Sequence, residues 1–183
     1  RRHTRFRNVT GVQTCALPIF LIAGALSLRQ RAHNKTPTSI APIPLVRNLM
    51  RAHLLLTIAV LFMGTIVTGS GPHAGDSAAE RFDLDSKMMA WIHADLVIAL
   101  LGVSVALVIA IKLGESDLTR SRLAPLAQKF LLIALGQGAI GYVQYFTGLP
   151  EIIVAAHLIG AVLVWLFAWN IAITGNLVAR KGN

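Results

Sequence analysis

The run KMMAWIHADLVIALLGVSVALVIAI, Lys87 to Ile111, holds one acid, Asp95, and no base after its first residue. As a helix rising about 1.5 Å per residue, it is long enough to cross the roughly 30 Å hydrocarbon layer of a bilayer. It lacks the alternation of a barrel strand, so a transmembrane helix is the structure it predicts. Three similar runs accompany it, at about Leu49 to Thr68, Leu123 to Phe146 and Glu151 to Leu177. The chain of 183 residues is 55% hydrophobic and 14% charged, with a mean hydropathy of +0.64, outside the usual range of soluble domains. The expected fold class is all-α: a polytopic membrane four-helix bundle over residues 49–177, followed by a short tail at 178–183.

Charge sets the expected orientation. Before the first span lie Arg29, Arg31, Lys35, Arg47 and Arg51, with no acid among them. The loop Gly69 to Ser86 has Arg81 against Asp76, Glu80, Asp83 and Asp85. The next connection carries Lys112, Arg120 and Arg122 beside Glu115 and Asp117, the turn after the third span has only Glu151, and the tail has Arg180 and Lys181. Basic and acidic connections alternate, which places both ends in the cytoplasm of a bacterial plasma membrane. The formal charge of +9 therefore reports membrane orientation, and nucleic acid is excluded as a partner. The lipid bilayer is the partner this composition implies.

The opening stretch stands apart. RRHTRFRNVTGVQTCALPI, Arg1 to Ile19, resembles the conceptual translation of a short-read sequencing adapter, and such a stretch is excluded from fold reasoning. Without its four arginines the formal charge falls from +9 to +5. It also contains Cys15, the chain's single cysteine, so no internal disulfide and no cysteine-ligated metal is expected. Because this stretch abuts Phe20, residues 20–32 are expected to be the end of a truncated transmembrane helix. Residues 33–48, with NKTPTSIAPIP, are expected to be a cytoplasmic linker.

An internal repeat becomes visible when the spans are aligned. The first span ends in GTIVTGSGP, Gly64 to Pro72, and the third in GYVQYFTGLP, Gly141 to Pro150. Each Thr-Gly before a proline predicts a helix exit. The following helix then carries one histidine about six residues in: His93 in KMMAWIHADL and His157 in PEIIVAAHLIG. Both rings should lie roughly 9 Å below the outer boundary, on helices running the same way. Ionisable residues inside a bilayer mark function by default. Two imidazoles at equal depth suit one iron held from both sides of a haem plane. Interhelical hydrogen bonding is the plainer role for a single membrane histidine. A mononuclear zinc or copper site would need further ligands.

Smaller features bear on the same site. Gly160 and Ala161, at i+3 and i+4 from His157, would leave room beside it. Gln137, Gly141, Gln144 and Gly148 form one stripe on the third span, which would line a haem or permit close helix packing. Asp95 points about 200° away from His93 and should not share its site. His73, Arg81 and Lys87 read as outer loop groups, the two bases being alternatives for pairing with haem propionates. Trp91, Trp165 and Trp169 read as interfacial belt residues, with Trp165 deep enough to face the bundle instead.

The strings VTGSGPHAGD, HADL, GQGAIGYVQYFTGLP and AAHLIGAVLVW, in this order and spacing, resemble the haem A synthase family over nearly all of Phe20 to Leu177. The resemblance is to the C-terminal half of an eight-span bacterial member built from two pseudosymmetric four-helix halves. It implies that this half holds haem b, and with it iron, through His93 and His157, with Gly141, Gln144 and Gly160 beside the cofactor. It also implies that the parent protein oxidises the C8 methyl of its substrate haem O to the formyl of haem A for cytochrome oxidase biogenesis. The family's glutamate and first histidine pair would lie upstream, so no catalytic residue is expected in this chain, and alone it should be inactive. Haem O synthase and an electron acceptor are the implied partners. The alternatives are a bis-histidine membrane cytochrome that only transfers electrons, and a haem-free structural or transport bundle.

Overall fold

A computed structural model of the chain describes residues 21–27, 30, 41–71 and 82–175. Helical residues 21–27 form α1. Four long helices follow: α2 (Pro44–Ser70), α3 (Ser86–Gly114), α4 (Asp117–Phe146) and α5 (Glu151–Thr174). They have 27, 29, 30 and 24 residues, and each is apolar enough to cross a membrane. At about 1.5 Å per residue even the shortest exceeds the hydrocarbon thickness. No strand occurs among the described residues. The chain is a multi-pass, all-α membrane protein. The stretch at 1–19, the first half of the linker (33–40), the middle of the acidic loop (72–81, with His73 and Arg81) and the tail lie outside the described residues.

Local chemistry sets the helix ends. Pro44 opens α2, where a missing N–H costs nothing. The Ile43 N–H just before it donates to Glu115 Oε1 at 2.8 Å. This buried carboxyl, from the α3–α4 connection, supplies the cap and the negative charge that a helix N-terminus favours. Hence α2 begins five residues earlier than the apolar run predicts. Asp85 caps α3 by accepting the N–H groups of Lys87 and Met88. Ser116 caps α4, whose first turn is tied by an Arg120–Asp117 ion pair. That helix therefore also starts ahead of its hydrophobic stretch.

The two expected exits differ. Thr68-Gly69 still belongs to the last turn of α2, which ends on an extended Gly71. At the end of α4, Gly148 (φ 75°) and Leu149 (φ 61°) are left-handed, and the Leu149 N–H returns to the Gln144 carbonyl at 2.9 Å. Glycine takes that backbone without strain.

Around the bundle, α2 packs on α3, α3 on α4, α4 on α5, and α5 closes back on α2. The closest pairs are the hairpins α2–α3 and α4–α5. Thus α2 faces α4 across one diagonal, and α3 faces α5 across the other. The buried positions repeat in register. Val46, Met50, His53 and Thr57 of α2 correspond to Leu123, Ala127, Phe130 and Ala134 of α4, each 77 positions later. Leu100, Ser104 and Leu107 of α3 correspond to Val164, Ala168 and Ile171 of α5, each 64 positions later. His53 and Phe130 meet edge to face, with ring centroids 4.2 Å apart. Since these are corresponding residues touching across the diagonal, an approximate twofold axis runs between them.

Helix α1 lies on α5. The indole N–H groups of Trp165 and Trp169 donate to the carbonyls of Leu21 and Ala25, each at 3.0 Å. These two rings stack on one another and dock a helix. The axial layer gives a stability expectation. Phe130→Ala should cost about 2 kcal/mol or more in a denaturant titration in detergent, because a fully buried ring is lost. Leu132→Ala, at a side chain 69% exposed, should stay within about 0.5 kcal/mol.

Candidate functional site: a histidine pair across the bundle axis

His93 lies seven residues past the start of α3, and His157 six past the start of α5. Both are thus about 9–10 Å from the acidic end of the bundle. Their helices occupy one diagonal of the bundle.

Each ring is seated on a glycine of the helix before it. A Cβ on Gly64 would stand 3.4 Å from His93 Cε1 and 3.9 Å from its Nδ1. A Cβ on Gly141 would stand 3.6 Å from His157 Cε1. A methyl group at either position would meet the ring at ordinary van der Waals distance, and a branched or longer side chain would crowd it. Gly64 and Gly141 are themselves 77 positions apart, so the pairs Gly64–His93 and Gly141–His157 are the same device used twice. The His93 ring also lies beside the Val60 carbonyl, one turn from Gly64. In both rings Nδ1 is buried without a partner, whereas Nε2 is not sealed in this way.

The other expected residues gather around His157. Gln144 is 8% exposed, one turn beyond Gly141 on the inner face of α4. Gly141 and Gln137 on the same stripe are half-buried, and the stripe leaves the interior at the exposed Gly148. Gly160 is buried, but the room it leaves is taken by the Gln137 carboxamide, which reaches the place a Cβ would fill. Asp95 is exposed on the outward side of α3. Lys87 lies at the acidic end, in a shallow depression of about 290 Å³ shared with Asp85, Met88 and Trp91.

His53 escaped the sequence reading. It is 1% exposed, and neither ring nitrogen has a partner. It lies eleven residues below Gly64 on α2, and Ser104, Phe130 and Ala168 lie equally far from His93, Gly141 and His157. The four make one buried layer about 16 Å deeper in the bundle. The signal was available in the spacing His53, Thr57, Val60, Gly64, which puts all four on one face of α2.

Among the described residues, no three or more His, Cys, Asp or Glu side chains come together as a bare metal site would require. A haem with two axial imidazoles makes different demands: two rings on opposite sides of one plane, a ligand nitrogen left open on each, and small residues beside them. Of these, the residues present supply two: Nδ1 and not Nε2 is the sealed atom in both rings, and a glycine lies beside each. The fold and site define a polytopic helical membrane protein with an interior histidine pair. No family model, no curated protein and no solved structure matches the chain.

The glycine seats can be tested directly. Gly141→Leu should displace the His157 ring and move its side-chain ¹⁵N resonances. Gly136→Leu on the same helix should leave them in place, because a Cβ at Gly136 meets nothing within 4 Å.

Proposed function

We propose that the chain is the haem b-binding, C-terminal half of a haem A synthase in a bacterial plasma membrane. The observation that carries this reading is the histidine pair at matched depth on diagonal helices, each ring seated on a glycine of the preceding helix. The strings VTGSGPHAGD, HADL, GQGAIGYVQYFTGLP and AAHLIGAVLVW support it from the sequence. With basic connections inward, both ends of the chain are cytoplasmic and the pair lies nearer the outer face.

In this reading His93 and His157 offer Nε2 to the two faces of haem b, and Gly141, Gln144 and Gly160 border the macrocycle. The bound iron supplies one-electron redox chemistry. The protein's part is to fix two neutral imidazoles in a strong-field arrangement, keep water from the centre and hold the Nδ1 protons away from the iron. Oxidation of the haem O methyl belongs to the upstream half of the parent protein, which would receive haem O from haem O synthase and pass electrons to an acceptor.

The purified chain should bind haem b with a low-spin, six-coordinate absorption spectrum. His93→Ala or His157→Ala should turn the spectrum toward high spin or abolish binding. Unchanged low-spin spectra in both variants would refute the ligand assignment. Haem A formed in a host that supplies haem O to this chain alone would refute the division of labour.

A further inference from the structure

The approximate twofold makes the two ligand corners comparable, and they differ in chemistry. In the corner between α4 and α5 stand Gln137 and Gly160. The corresponding residues between α2 and α3 are Val60, 77 positions before Gln137, and Leu96, 64 before Gly160. Both replacements are apolar and larger than the glycine.

One close approach and two helix spacings bring Gln137 into the corner of His157. Its carboxamide fills the space beside Gly160, close enough that a Cβ there would overlap it. Gly160 is one turn from His157 on the same face of α5. Gly141, one turn from Gln137 on α4, is where a Cβ would stand 3.6 Å from His157 Cε1. Carboxamide and imidazole thus share one corner, and in that corner His157 Nδ1 is buried with no partner. A buried ring N–H without an acceptor is costly, and a glutamine oxygen one turn away is the available remedy.

We propose that Gln137 is the positioning residue of His157: its side-chain oxygen accepts the His157 Nδ1–H, fixing the ring's tautomer and turning Nε2 to the bundle axis. The proposal rests on the haem-binding reading of the histidine pair. It makes the two ligands unequal. His157, hydrogen-bonded to a carboxamide, is the stronger electron donor, while His93 has the apolar Val60 and Leu96 at the corresponding positions. Gly160 is glycine because the carboxamide needs the room.

The test uses the full chain with ¹⁵N-labelled histidine, assigned through His157→Ala, first without haem and then loaded with haem b. Without haem, His157 should show a single Nδ1–H tautomer, which Gln137→Val, copying the Val60 corner, should convert to a tautomer mixture while His93 stays unchanged. Gln137→Glu should restore the single tautomer. Once loaded, Gln137→Val should weaken haem binding by about tenfold and raise the midpoint potential, and Gln137→Glu should lower that potential. A His157 tautomer and a potential both indifferent to Gln137→Val and Gln137→Glu would overturn the proposal. If the tautomer follows Gln137 but no variant, nor the wild-type chain, takes up haem, the hydrogen bond stands and the haem reading falls.

Discussion

The close approach of an imidazole to a glycine of the preceding helix occurs twice in this bundle. At Gly64 and Gly141 a Cβ would already stand at van der Waals distance from a histidine ring, so no side chain longer than a methyl group is accommodated there without moving the ring. Lipid offers no hydrophobic drive for helix association, so membrane helices depend on close packing at small residues and on interior polar groups. Here the two requirements meet at the same positions.

Near-symmetry then brings the two hairpins to one axis. His53 and Phe130 touch across it, and the layer they share with Ser104 and Ala168 is sealed. Toward the acidic end the axis reaches the two imidazoles. The symmetry is a property of the packing positions and not of their chemistry. Phe130 answers His53, Gln137 answers Val60 and Gly160 answers Leu96, and each of these exchanges changes polarity or volume at a buried or half-buried site.

Much of the fold could be read from the sequence because four long apolar runs admit few structures inside a bilayer. The histidine pair could be read for the same reason, since an ionisable residue in such a run stands out. The helix starts could not. Arg47 and Arg51 in α2, and Asp117 to Arg122 in α4, look like loop residues by hydropathy, yet a helix does not stop where the hydrocarbon does. The cap at Ile43 depends on Glu115, 72 residues away, which no local pattern reveals. Gln137 and Gly160 were each legible as small or polar features near His157. That one occupies the space left by the other depends on the register of α4 against α5. His53 was passed over because its meaning lies in its partner Phe130, on a helix that is not its neighbour.

The central claim is that His93 and His157 hold one haem between them. A density map of the chain loaded with haem b, at a resolution that separates the imidazole rings, tests it most directly. The account predicts one iron on the bundle axis, bonded to Nε2 of both histidines, with Gly64 and Gly141 against the outer edges of the rings. A haem bound elsewhere, or an iron reached by only one of the two rings, would contradict it.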